Sequence, residues 1–166
     1  MAAEGEIVGE AERCADALTV VRRTRPDVAI FAVGLPDGDG IEMAAQVAED
    51  CPVVLFTSHT GTDLIDRARA AGVMAFLLKP LRPAELAPAL DLAVARFSEA
   101  RALKQQLADR KIIERAKGTL MQRYALSEHD AFHRLRRAAM DSRRPMVEVA
   151  RALLMSQSVA GDLPTA

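Results

Sequence analysis

Three short, almost continuous apolar runs mark the first half of the chain: Val28-Ala29-Ile30-Phe31-Ala32-Val33, Val53-Val54-Leu55-Phe56-Thr57 and Val73-Met74-Ala75-Phe76-Leu77-Leu78. Runs of this length without polar alternation read as strands buried on both faces of a parallel sheet. The stretches around them read as helices over about 11–23, 41–49, 63–71 and from 83 onward. Turn residues separate the segments, notably Leu35-Pro36-Asp37-Gly38-Asp39-Gly40 and Leu78-Lys79-Pro80. Strand–helix alternation of this kind predicts an α/β sheet joined by crossover helices.

The second half has a different pattern. From about Glu85 to Tyr124 the only breakers are Pro88, near the helix start, and Gly118. Leu90, Val94, Phe97, Leu103 and Leu107 give an apolar stripe that is imperfect as a heptad repeat. One long helix is expected, able either to pair with a copy of itself or to lie on its own domain. Two shorter helices follow. Ser127-Glu128-His129-Asp130 resembles a capping box, and Ala131, Phe132, Leu135, Ala138 and Ala139 share one helical face. Asp141-Ser142-Arg143-Arg144 makes a polar turn, Pro145 suits a first helical position, and Met146, Val149, Ala150 and Leu153 form another stripe. The last ten residues are polar and small, and a frayed tail is expected.

Composition changes the picture in one respect. The 166 residues carry a net charge of −1, but residues 1–96 hold nine Lys and Arg against fifteen Asp and Glu, and residues 97–166 hold thirteen against eight. An acidic half followed by a basic one points the second half towards a polyanion. No apolar run approaches the roughly 20 residues that span a bilayer, and the acidic start lacks the features of a signal peptide. Cys14 and Cys51 suggest neither a disulfide framework nor a zinc site, and a reduced cytoplasm fits. His59, His129 and His133 have no metal-ligand spacing backed by other ligands, so no metal or cofactor is expected. No nucleophile–base pair is visible, which argues against an enzyme.

From Val8 to about Phe97 the chain resembles a response-regulator receiver domain, on Val8-Gly9-Glu10-Ala11, Arg25-Pro26-Asp27, Leu35 to Gly40, the strand ending in Thr57, Ala70-Ala71-Gly72-Val73 and Lys79-Pro80. The resemblance implies a flavodoxin-like fold. Receivers accept a phosphoryl group on an aspartate at the end of the third strand, with magnesium held by two acidic residues after the first. The aligned acceptor position is Ala32, whose methyl group can be neither nucleophile nor metal ligand. The match begins at what should be the family's second strand, so its first strand and first helix have no counterpart, and the sheet is expected to be incomplete. Asp37 and Asp39 are poor substitutes for the acidic pair. Thr57 and Lys79 hold the positions that sense and ion-pair with a phosphoryl group; here they read as inherited residues, with Lys79-Pro80 fixing a turn whose peptide bond is expected to be cis.

Ile112 to Leu154 resembles the ANTAR domain, a three-helix module of bacterial antiterminators. The matching residues are Ile113-Glu114-Arg115-Ala116-Lys117-Gly118-Thr119-Leu120-Met121, Ser127 to Phe132, Leu135-Arg136-Arg137-Ala138-Ala139-Met140 and Val147-Glu148-Val149-Ala150. This resemblance implies binding to paired RNA hairpins in a nascent transcript, usually by a dimer, which here would form through the linker helix. Candidate RNA contacts are Arg110 and Lys117, seven apart on one face; Gly118, where either a helix crossing or close RNA approach repays the missing side chain; His133, Arg136 and Met140 along the second helix; and Arg143 and Arg144 in the turn. Tyr124 and Phe132 are assigned to packing.

The expected organisation is a receiver-like domain over 1–96, a coiled-coil-like linker over 97–110, an ANTAR bundle over 111–156 and the tail over 157–166. Two other functions stay open: a DNA-binding regulator, disfavoured by the lack of a turn glycine at 141–145, and an adaptor that docks a protein partner on the receiver surface.

Overall fold

Each apolar run becomes a strand, and each stretch between them a helix, in the computed structural model, which describes residues 5–59 and 61–161. The chain divides into two compact units between residues 100 and 101.

The first unit contains α1 (Cys14–Thr24), β1 (Ala29–Ala32), the two-stranded ribbon β2 (Gly34–Leu35) and β3 (Gly38–Asp39), α2 (Gly40–Val47), β4 (Val53–Thr57), α3 (Thr62–Ala70), β5 (Ala75–Leu78) and the first part of α4 (Pro83–Tyr124). β1, β4 and β5 pair in that order as a parallel sheet, with Phe31 opposite Leu55 and Leu55 opposite Phe76. Successive side chains in a strand point to opposite faces, so both faces need cover. On one face Phe31, Val53 and Leu55 pack with Ala17 of α1, Ile41, Ala44 and Val47 of α2 and Ala68 of α3. On the other, Val54, Ala75 and Leu77 pack under Leu86, Ala89, Leu90 and Ala93 of α4. Burying each of the larger side chains contributes roughly 1.5–3 kcal/mol.

Where the family's second strand was expected, Val8-Gly9-Glu10-Ala11 forms no strand. A strand needs a neighbour for its ladder, and β1 has β4 on one side and no strand on the other among the described residues. The segment lies instead against α1: a side chain at Gly9 would collide with Val20. The Lys79–Pro80 bond is cis, as expected. Gly72 ends α3 in a left-handed conformation at φ 80°, a position that favours glycine.

The second unit packs the remainder of α4 with α5 (Glu128–Ser142) and α6 (Met146–Gly161). Ala116, Leu120, Ala131, Leu135 and Ala150 form its buried centre, flanked by Ile112, Ile113, Met146 and Leu153. Ser127 caps α5 by accepting from the Asp130 amide at 3.1 Å. Its hydroxyl donates in turn to the Asp130 carboxylate at 2.6 Å, a variant of the capping box with the acid turned to the side chain. Arg143 closes α5 at φ 54°. Pro145 stands one residue outside α6 and offers its carbonyl to the Val149 amide at 3.3 Å. α6 continues to Gly161, beyond the expected end near 156, because no proline interrupts it; 162–166 of the expected tail lie outside the described residues. Among the described residues no helix is long and apolar enough to cross a membrane.

Candidate nucleic-acid interface

Helix α5 buries Ala131, Leu135 and Ala139 and turns its other faces outward. Along it runs an open depression of about 800 Å³ lined by His133, Arg136 and Met140, three of the expected contact residues, together with Arg134, Arg137 and the carboxylates of Asp130 and Asp141. Met140 is 69% exposed. Arg134 and Arg137 were missed in the sequence, although Asp130, Arg134, Arg137 and Asp141 recur at helical spacing that would have singled them out. His129 and His133 lie one turn apart with their Nε2 atoms at 3.1 Å.

Lys117 departs from its expected role. It is only 7% exposed, and its ammonium reaches Glu128 at 2.7 Å and Glu114 at 2.9 Å. The stem is covered, while the two carboxylates that hold its tip are themselves open to solvent. Hydrogen bonding to Glu128, then to Glu114, raises the Lys117 pKa above its ordinary value. A cation so held ties α4 to α5. Arg110, its expected companion, is exposed, as are Arg143 and Arg144 at the α5–α6 turn.

Gly118 has open space where a side chain would stand: a Cβ there meets nothing within 4 Å. A helix crossing within the described residues therefore does not account for it. Tyr124 also departs from expectation. It is 44% exposed rather than packed, with the Arg134 guanidinium 4.1 Å from its ring centroid and that of Arg123 at 5.6 Å. Phe132 is half-buried and meets the His133 ring edge-on.

In the first unit a small recess is lined by Ala32, Thr57 and Lys79 together with Ser58 and His59. The Thr57 hydroxyl donates to the His59 carbonyl at 3.0 Å and accepts the His59 amide at 3.2 Å. The Lys79 ammonium lies 4.9 Å from the Phe56 ring centroid. Asp37 accepts the amides of Cys14 at 2.7 Å and Ala15 at 3.2 Å, so it caps α1 from across the loop. Those amides, led by Cys14, hold its carboxyl below the usual range. Asp39 caps α2 through the Ile41 amide at 2.7 Å and pairs with Arg67. Burial pushes the Asp39 carboxyl up, but these partners outweigh it and leave it lowered. The residues present do not fit the receiver family's magnesium ion: the Ala32 side chain supplies no oxygen, and the Asp37 and Asp39 carboxylates are committed to helix starts. Burial pushes the Cys51 thiol up, in keeping with a structural residue.

A doubly covered parallel sheet followed by a three-helix basic module defines a two-domain regulator. The receiver-domain family of response regulators matches residues 1–91, and the ANTAR-domain family matches residues 101–154. The chain belongs to the response regulators that combine these two domains, a regulator family and not an enzyme family. It is 42% identical over 166 residues to the "Transcriptional regulatory protein PdtaR" of Mycobacterium tuberculosis H37Rv, covering 95% of this chain and 81% of that protein. Its fold is similar to the Vibrio cholerae chemotaxis protein CheY4 (TM-score 0.51, 26% identity, covering 54% of this chain and 78% of that one). It is also similar to the receiver domain of a modulated diguanylate cyclase from Desulfovibrio desulfuricans G20 (TM-score 0.52, 23% identity, covering 57% and 78%).

Proposed function

We propose that the chain recognises the loops of RNA hairpins in nascent transcripts and thereby prevents terminator formation. The observation that carries this reading is the α5 depression, which gathers three guanidinium groups, an imidazole and an exposed methionine on one helix of an ANTAR module. Unpaired RNA bases are read by stacking on planar groups and by hydrogen bonds to their edges, and guanidinium planes serve both purposes. Arg110, Arg143 and Arg144 supply further cations for the phosphate backbone, and Gly118 leaves room for close approach.

The protein acts as a dimer in this reading. Leu103 and Leu107, one turn apart on α4, are 60% and 54% exposed, a pair suited to the same surface of a second copy. Leu103→Glu with Leu107→Glu then converts a dimer to a monomer in sedimentation equilibrium; an unchanged mass contradicts that part of the reading. The receiver is a degenerate one: activity does not depend on aspartyl phosphorylation, because Ala32 stands at the acceptor position, and control rests with protein concentration or a protein partner on the receiver surface. The cytoplasm, where transcripts emerge, is its place.

The test compares a labelled RNA hairpin with a DNA duplex of equal length at one salt concentration. The hairpin binds more tightly, and Arg136→Ala with Arg137→Ala removes that preference. Equal binding of both, unaffected by the substitutions, removes the reading.

A further inference from the structure

Tyr124 is the last residue of α4, and the chain turns sharply behind it, with Ala125 at φ 51° and the Leu126 amide returning to the Met121 carbonyl at 3.3 Å. The turn leaves the ring at the rim of the module, nearly half exposed, where an aromatic side chain gains least from burial. Its partners are cations: the Arg134 guanidinium, from α5, sits 4.1 Å from the ring centroid, with Arg123 farther out. Arg134 is also one of the residues that line the α5 depression. A group entering that depression therefore meets a guanidinium already held against an aromatic ring.

We propose that Tyr124 and Arg134 together form a stacking platform for one unpaired nucleobase, an inference that rests on the RNA-binding reading above. A phosphate would need only the positive charge. The depression is also lined by Asp130 and Asp141, which repel a phosphate but accept hydrogen bonds from the exocyclic amines of a base. A base inside a duplex has both faces occupied by its neighbours, so only a splayed loop or bulge base can stack here. Base, guanidinium and phenol ring then form one continuous stack, with cation–π attraction added to base stacking.

The sequence supplies its own probe. Tyr124 is the only tyrosine and there is no tryptophan, so intrinsic tyrosine emission reports on this position alone. The full chain is titrated with short RNA hairpins of mixed loop sequence and, separately, with a fully paired RNA duplex, while anisotropy of labelled RNA follows binding. The hairpins quench the tyrosine emission with the midpoint seen by anisotropy, and the duplex does not. Tyr124→Leu weakens hairpin binding about ten-fold, whereas Tyr124→Phe leaves it within about two-fold. Arg134→Lys keeps the charge, loses the plane, and weakens binding like Tyr124→Leu; it also serves if the leucine variant fails to fold. Hairpin binding without quenching, or either weakening variant binding as tightly as the unaltered chain, overturns the platform and leaves the RNA reading standing. Absence of any hairpin binding removes both.

Discussion

Lys117 Nζ lies 2.7 Å from the Glu128 carboxylate, joining the end of the long helix to the first residue of the next across the turn at Ala125. The pair bridges α4 and α5 beside their shared apolar centre of Ala116, Leu120, Ala131 and Leu135. Lys117→Met should lower the thermal midpoint of the C-terminal unit while leaving the salt dependence of RNA binding unchanged. Loss of a true phosphate contact would reduce the salt slope by about 1. The pKa of Lys117 is raised in the fold, so the stability it contributes is complete below its ordinary value of 10.5 and lost as pH rises through the higher folded value. Alkaline unfolding followed by circular dichroism checks this: the wild type loses stability above about pH 10.5 and the Met variant loses less.

Acid acts on the other unit. The carboxyls of Asp37 and Asp39 are both lowered in the fold, so their contribution is complete above the unfolded carboxylate pKa of about 3.9 and is lost as pH falls through the folded values. Unfolding of the first unit by acid should steepen below about pH 4. Asp39→Asn lowers stability at neutral pH, where the charge pairs with Arg67, and flattens the acid limb. An unchanged acid profile in that variant would show that the cap carries no charge-dependent stability.

Gly118 offers a test of whether its open space is used. A helical glycine costs about 1 kcal/mol relative to alanine, and a Cβ here meets no atom within 4 Å. Gly118→Ala should therefore stabilise the module by up to about 1 kcal/mol in thermal unfolding while weakening hairpin binding. Higher stability with unaltered binding would mean that nothing approaches this surface.

The proposed reading, with Ala32 at the position aligned with the acceptor, makes the receiver unable to take up a phosphoryl group. Incubation with a small phosphodonor and magnesium should leave the protein mass unchanged. A stable acyl phosphate found by mass spectrometry would mean that another carboxylate, with Asp27 and Asp37 nearest in sequence, has taken over the chemistry.

How much the sequence discloses depends on the range of the interaction concerned. β1, β4, β5 and the six helices of the described residues follow from the local apolar pattern, and the Ser127 cap from a three-residue spacing. The Lys117 ion pair is hidden in the sequence because its partner Glu128 lies beyond a turn, eleven positions away, and no helical wheel brings the two together. Tyr124 was assigned to packing from its residue type; its exposure follows from where α4 stops, and stop positions are poorly marked when an alanine, not a glycine, takes the left-handed turn. Val8 to Ala11 shows the opposite error. The receiver resemblance places a strand there, but Gly9, Glu10 and Ala11 are weak strand formers and a strand forms only beside another. Of the expected α5 face, His133, Arg136 and Met140 do share one depression, because three- and four-residue steps along a helix are geometry that sequence carries directly.

Loop-specific RNA recognition is decided by selection from a pool of short RNA hairpins across a salt series. One loop sequence should be enriched, persist as salt is raised and disappear in the Arg136→Ala, Arg137→Ala variant. Weak binding to every hairpin, with a steep salt slope and no loop preference, would contradict it and reduce the basic half to a nonspecific polyanion surface.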